Sequence, residues 1–299
     1  MGGGDSRAEV LDLLRARPDQ AEPAVWDPRA TPVGPRTKAE ARQRMAGLAT
    51  RLRQLQEALY AEGAHGGRRR VLVVLQGMDT AGKGGTIRHV AGLVNPQGLH
   101  IASFGPPTPE ELRHHFLWRV RRQVPPPGRI GVFDRSHYED VLVARVENLV
   151  PERVWRGRYA EINRFEAGLV DQGVTFLKCF LHLSREEQCA RLLARLDRPT
   201  KRWKYRPEDV VTRETWDAYQ RAYADVLLHC STAAAPWYVV PADRKWYRNW
   251  VVARLLTAVL TEVAPSFPEP DFDVAAERAR LMAVGCAPAG EGRTDAANP

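Results

Sequence analysis

Cysteine is scarce in this chain, with four in 299 residues. Cys179, Cys189, Cys230 and Cys286 show no paired spacing, which argues against a disulfide frame or a cysteine-built zinc site and leaves reduced, mostly buried thiols as the expectation. Long apolar runs are also missing. None approaches the ~20 residues needed to span a bilayer. Met1-Gly2-Gly3-Gly4-Asp5 carries no basic region leading into an apolar core, so a cytoplasmic location without membrane association is expected. There is no internal repeat, and nothing resembles a Ser/His/Asp or Cys/His hydrolytic set. Acidic residues are in deficit: 44 Lys and Arg against 36 Asp and Glu give a formal charge of +8. That balance favours a polyanionic partner such as a nucleic acid, a phospholipid surface or a phosphate polymer, against the plainer reading of a merely basic surface. The hydrophobic share of 44% fits a folded protein.

What is present is a phosphate-binding pattern. Val71-Leu72-Val73-Val74-Leu75 reads as a strand and runs into Gly77-Met78-Asp79-Thr80-Ala81-Gly82-Lys83-Gly84-Gly85-Thr86. A β-branched run, Gly-x-x-x-x-Gly-Lys and a helical stretch form the setting of a P-loop. The glycines let successive N–H groups converge on an oxyanion, and the helix N-terminus adds partial positive charge. Lys83 supplies a point charge. The position after it is Gly84, where the common pattern has a metal-ligating hydroxyl, and Asp79 is the obvious replacement ligand. Asp134-Arg135-Ser136 ends a later apolar run, the place where open α/β sheets bind ligands. Asp134 therefore pairs with Asp79 as a Mg²⁺ ligand, and Arg135 is placed to neutralise a transferring phosphoryl group.

Arg191, Arg195, Arg198, Lys201, Arg202, Lys204 and Arg206 face one acid, Asp197, within residues 191–206. Interrupted by Pro199 and Pro207, they read as a basic lid over phosphates rather than a solvated helix end. Another basic group, Arg113, His114, His115, Arg119, Arg121 and Arg122, falls on an expected helix over 110–122. Arg119 is its candidate for pointing inward.

Residues 1–36, rich in Gly, Pro and Arg, read as a loosely ordered arm. Thr37-Lys38-Ala39-Glu40 reads as a capping box opening a helix with Met45, Leu48, Leu52, Leu55 and Leu59 at steps of three and four. That stripe covers the core or a second copy, and a homo-oligomer is expected. Further strands fall at 100–104, 129–134, 174–183 and 237–241. Helices fall at 86–94, from Pro151 to Gly173, from Ser184 through Leu192, Leu193 and Leu196, along Trp216, Tyr219, Tyr223 and Leu227, and from an Asp243 cap to Leu260. The alternation argues for an α/β, P-loop kinase-like parallel sheet with helices on both faces and a helical basic lid. The expected divisions are 1–65 (arm and amphipathic helix), 66–263 (phosphotransferase domain, lid about 191–225) and 264–299 (tail, with one short helix near 275–284).

Block by block, the chain resembles the family-2 polyphosphate kinases, P-loop phosphotransferases that move phosphate between inorganic polyphosphate and nucleotides. The blocks are Gly77 to Lys83; Asn95-Pro96-Gln97-Gly98; Thr108-Pro109-Glu110-Glu111-Leu112 with Phe116-Leu117-Trp118-Arg119; Asp134 to Leu142; Pro199-Thr200-Lys201-Arg202-Trp203-Lys204; and Ala235 to Asp243. They occur in family order from about residue 26 to 263. The resemblance implies Asp79, Lys83, Asp134 and Arg135 as the catalytic group, with Mg²⁺ (or Mn²⁺) as cofactor. It also implies a helical lid, a basic polyphosphate channel, and AMP, ADP and ATP as nucleotide partners, with neither nucleic acid nor membrane. Ser136-His137-Tyr138-Glu139-Asp140 looks like the subgroup able to use AMP, which makes Glu139 the candidate for nucleotide-phosphate selection beside Ser136, His137 and Tyr138. Two positions depart from the pattern: Gly84, where that subgroup often has Asp, and Gly105, where the family often has Lys. The alternatives are an ATP-dependent nucleotide or small-molecule kinase of the same fold and a non-catalytic polyanion binder. The binder would gain nothing from carboxylates at Asp79 and Asp134.

Overall fold

The computed structural model describes residues 7–285. In chain order the elements are α1 (Arg7–Leu14), α2 (Lys38–Ala64), β1 (Arg70–Gln76), α3 (Lys83–Val90), β2 (Leu99–Ser103), α4 (Trp118–Arg121), β3 (Ile130–Asp134), α5 (Glu139–Val146) and α6 (Glu152–Val170). They continue with β4 (Val174–His182), α7 (Arg185–Asp197), α8 (Glu208–Glu214), α9 (Trp216–Cys230), β5 (Trp237–Pro241), α10 (Lys245–Val263) and α11 (Val274–Ala283). The strands form one five-stranded sheet in the order β2-β3-β1-β4-β5, parallel throughout. Successive strand residues face opposite sides. Val71, Val73 and Leu75 meet α1, α2, α3 and α10 in one buried layer, while Leu72 and Val74 meet α5, α6 and α9 in the other. The Leu52, Leu55 and Leu59 stripe is buried in the first layer, so it is core. No helix among the described residues is long and apolar enough to cross a membrane.

The chain falls into two compact units, Met1–Ser266 and Phe267–Pro299. In the second, Asp273 caps α11 by accepting from the Ala275 and Ala276 N–H groups. Of the thiols, Cys179 and Cys230 are buried and Cys189 is partly exposed; Cys286 lies outside the described residues.

Several expectations need correction. Over residues 7–36 the arm is not loose, since Val10, Leu14, Ala16, Ala21 and Val33 are all buried, and residues 1–6 lie outside the described residues. It closes the outer edge of β5 through an antiparallel bridge of Arg15 with Tyr238 and an Ala16 N–H donated to Trp237 O at 2.8 Å; an uncovered edge strand offers unpaired backbone to any passing chain. The expected helix over 110–122 breaks. Thr108 and Glu111 cap one another over a single turn, Glu111–Arg113, and His114 is extended. His115 then pairs with Glu161 of α6 at 2.9 Å, so a tertiary contact overrides local helix propensity. Asp243 does not cap α10. Its carboxylate accepts from the Ser184 N–H (2.9 Å) and hydroxyl (2.8 Å), which ties the β4–α7 turn to the end of β5. Of the three leucines expected inside α7, only Leu192 is buried.

Candidate active site

β1 is followed by α3 on one face of the sheet, and its neighbour β3 by α5 on the other. Connections leaving in opposite directions open a crevice at the carboxyl ends of β1 and β3, where ligands bind in open α/β sheets. The sequence puts Gly77 to Lys83 at one lip and Asp134 to Glu139 at the other. Gly82 is the N-cap of α3 with φ +103°, a left-handed conformation that glycine adopts without strain. At Gly77 (φ +153°) a Cβ would meet the Leu181 carbonyl at 2.7 Å. The N–H groups of Gly82, Lys83, Gly84 and Gly85 have no hydrogen-bond partner among the described residues, as the first turn of a helix dictates. They constitute an open anion cradle.

The side chains at the two lips meet. Arg135, held at φ +64°, donates to Asp79 at 3.0 Å and to Glu139 at 3.2 Å. Burial works against its charge, but Glu139 and Asp79 outweigh that and push it above the ordinary guanidinium range. Lys83 folds back over the loop and donates to Gly77 O at 2.8 Å. Desolvation, then Arg135, pull its pKa down, opposed by Asp79, Asp134 and Glu139. Tyr219 and Tyr223 of α9 and Thr212 of α8 line the same cleft, and burial together with Glu139 drives the Tyr223 phenol well above its usual range.

A hard divalent cation fits this donor set. The Asp134 carboxylate has no side-chain hydrogen bond or ion pair among the described residues, and its Oδ2 lies 3.9 Å from where a Gly84 Cβ would stand. No cluster of three or more His, Cys, Asp or Glu suited to a metal occurs among the described residues. Two carboxylates completed by phosphate oxygens are the usual way of holding Mg²⁺.

Some expected site residues lie elsewhere. Ser136, His137 and Tyr138 are fully buried and do not reach the cleft. His137 and Tyr138 meet Glu166 Oε1 at 3.1 and 2.8 Å, and Glu166 pairs with Lys178 at 2.6 Å. Ser136 meets Gln76. Arg191 is no lid residue: its guanidinium donates to the Thr80, Ala81, Ala242 and Asp243 carbonyls at 2.7–3.2 Å. Arg195 turns to Asp209 and Lys204 O, whereas Arg198, Lys201, Arg202 and Lys204 are exposed. In the part of the expected lid that falls in α9, Trp216 and Ala222 pack in the core while Tyr219 and Tyr223 border the cleft. Arg119 does point inward, donating to Gly105 O at 2.8 Å, near Glu111 and Asp140. Sequence reasoning missed Arg248, which is buried against the loop and donates to Ala81 O at 2.9 Å. The available signal was a cation that, with Arg254, interrupts the otherwise largely apolar helix run Tyr247 to Leu256.

Unbonded N–H groups, a strand-end carboxylate and a shared guanidinium at a topological switch point are an arrangement suited to an enzyme that handles phosphate groups. The model of the family Polyphosphate kinase 2 matches residues 36–267, and the chain belongs to that family; it is a kinase-type transferase. It is 51% identical to the AMP/ADP-polyphosphate phosphotransferase of Meiothermus ruber, over 87% of this chain and 97% of that protein. It is 42% identical to the ADP-polyphosphate phosphotransferase of Rhodopseudomonas palustris, over 73% of this chain and 78% of that one. Among solved structures, polyphosphate kinase 2 from Arthrobacter aurescens TC1 matches with a TM-score of 0.89 and 46% identity, covering 92% of this chain and 96% of that chain.

Proposed function

We propose that this chain transfers a phosphoryl group reversibly between inorganic polyphosphate and AMP or ADP, assisted by Mg²⁺ or Mn²⁺ held by Asp79 and Asp134. The observation that carries this is the meeting of Asp79, Arg135 and Glu139 across one crevice beside an unbonded N–H cradle. The activities named for the relatives agree with it. An acceptor phosphate is already ionised near neutral pH, so no strong base is required and the obstacle is repulsion between anions.

The cradle of Gly82 to Gly85 orients one phosphate, with Lys83 as a point charge beside it. Arg135 is paired with two carboxylates, and the incoming phosphate competes with them for it. A divalent cation held by Asp79 and Asp134 would supply charge neutralisation at the phosphate oxygens. Tyr219 and Tyr223 exclude water, which would otherwise compete as acceptor. Arg198, Lys201, Arg202 and Lys204 follow the polymer, and Glu139 selects the nucleotide phosphate. A nucleotide substrate implies the cytoplasm, and the expected assembly is a homo-oligomer.

The test is a Mg²⁺ assay with polyphosphate and AMP alone or ADP alone, resolved by chromatography. ADP followed by ATP from AMP establishes the AMP-accepting reading. ATP from ADP only moves the chain to the ADP-preferring subgroup. Transfer with neither, but ATP consumption with another acceptor, replaces the proposal with an ordinary kinase.

A further inference from the structure

Arg248 stands on the first turn of α10, 3% exposed, with no carboxylate partner among the described residues. Its Nη1 donates to Ala81 O at 2.9 Å, and its Nε and Nη2 donate to Asn249 Oδ1 at 3.2 and 2.9 Å. Arg191, arriving from α7, donates to the same Ala81 carbonyl at 3.2 Å. Two guanidinium groups thus converge on one peptide oxygen. Burial, then Arg191, draw the Arg248 pKa below the usual guanidinium range, yet it remains a cation at neutral pH. A cation buried without a counter-ion beside a second cation is costly. Carbonyl dipoles offset part of that, and the fold retains the arrangement.

The geometry locates the compensation on the far side of the loop. No cis peptide occurs among the described residues, and in a planar trans peptide the C=O and N–H point in opposite directions. Drawing the Ala81 carbonyl back toward the arginines aims the Gly82 N–H forward, into the cradle. Gly82 is required for this approach as well as for its φ, since a Cβ there would lie 1.8 Å from Arg248 Nη1. Gly85 is also close: a Cβ there would stand 3.2 Å from Nη2.

We infer that Arg248, with Arg191 beside it, is a positioning residue for phosphate binding: from behind the loop it fixes the Ala81–Gly82 peptide with its N–H toward the bound anion and adds positive potential beneath it. This rests on the P-loop holding a phosphate chain, as proposed above. The competing account is that Arg248 only holds α10 to the loop, as any buried, hydrogen-bonded side chain would.

Calorimetric titration of tripolyphosphate into the wild type, R248M and R248K, alongside KM, kcat and thermal unfolding of each, separates the two. The expected result is tripolyphosphate affinity lowered roughly 10-fold to 100-fold in R248M, the range for a hydrogen bond to a charged group. The polyphosphate KM should rise in parallel and kcat fall less. R248K, which keeps the charge and an N–H donor group, should recover a large part of the affinity. R248M that binds tripolyphosphate within twofold of the wild type overturns the inference, as does a fall in unfolding temperature with both KM values unchanged. If R248M does not fold, R248Q, which keeps an N–H donor and loses the charge, decides instead: affinity lowered at unchanged unfolding temperature supports the inference, and affinity retained overturns it. A wild type that fails to bind tripolyphosphate sinks the phosphate reading itself, whatever the variants do.

Discussion

The cations behind the phosphate-binding loop and those on the segment between α7 and α8 are of the same residue types but built in opposite ways. Arg191 and Arg248 are nearly buried, and each is fixed by backbone carbonyls from other elements. Arg198, Lys201, Arg202 and Lys204 are exposed, and Arg202 donates to its neighbour's backbone at Leu196 O. The first pair has already surrendered its hydration and rotamer freedom. The second group still has both to lose when a polyanion arrives. Charge density along a sequence counts both sets alike, but only desolvation separates a cation that shapes a site from one that recruits a ligand.

Arg135 sits between these extremes, and substituting it has the largest expected effect. Its charge is exchangeable between Asp79, Glu139 and a substrate phosphate, so Arg135→Met should cut kcat by about 1,000-fold or more. Asp134→Ala should do the same with little change in unfolding temperature, since that carboxylate has no partner among the described residues; initial-rate measurements check both. A loss below about tenfold would remove the distinction between exchangeable and fixed cations.

Next is Arg191→Met, which strands the Thr80, Ala242 and Asp243 carbonyls and Glu187, while Arg248 keeps its bond to Ala81 O. Urea denaturation should show it destabilised by roughly 3 kcal/mol. A cost no greater than that of an exposed lid residue breaks the comparison.

The Glu166–Lys178 pair is a third arrangement, a buried cation with its own carboxylate. Lys178, with His137, holds the Glu166 carboxyl below its ordinary 4.5 despite full burial. A carboxyl depressed in the folded state stabilises above its unfolded pKa, and that stability is lost as pH falls below about 4.5 through the folded value. Wild-type unfolding temperature should therefore fall steeply below pH 4.5. Glu166→Gln, less stable at neutral pH, should show a shallower acid slope. Equal slopes would mean the pair does not couple to acid.

The smallest effect falls on the exposed set. Lys201→Ala with Arg202→Ala and Lys204→Ala should leave stability within about 0.5 kcal/mol. The polyphosphate KM should rise about tenfold at low salt, converging on the wild type as ionic strength screens the charges. A stability loss comparable to that of Arg191→Met would show that these cations belong to the fold.

What could be read from the sequence follows the range over which each feature is encoded. The P-loop, the strand-end Asp134, the capping box at Thr37 and the five strands are written within stretches of a few residues, and they appear where local pattern puts them. The arm escaped notice because Val10 and Leu14 gain meaning only against β5 and α10, more than 200 residues away. The region 110–122 has helical spacing, but Glu161 of α6 decides its path. Ser136, His137 and Tyr138 share a block with Glu139, yet only Glu139 turns to the cleft: Glu166 and Lys178 draw His137 and Tyr138 inward, and Gln76 holds Ser136. Arg191 looked like its neighbours in a basic run, since nothing local reveals which member of such a run meets the carbonyls of another turn.

The bridge between Arg15 and Tyr238 also bears on biosynthesis. The segment that seals the β5 edge leaves the ribosome well before its docking surface, which is made of β5 and α10. Residues 7–36 must therefore wait, unpaired, through translation of some two hundred residues, and the sheet stays open at that edge until they return. Completion of the fold is thus a joining of two segments made far apart in time, and a ribosome that stalls before Trp250 would display a nearly finished sheet with one sticky side.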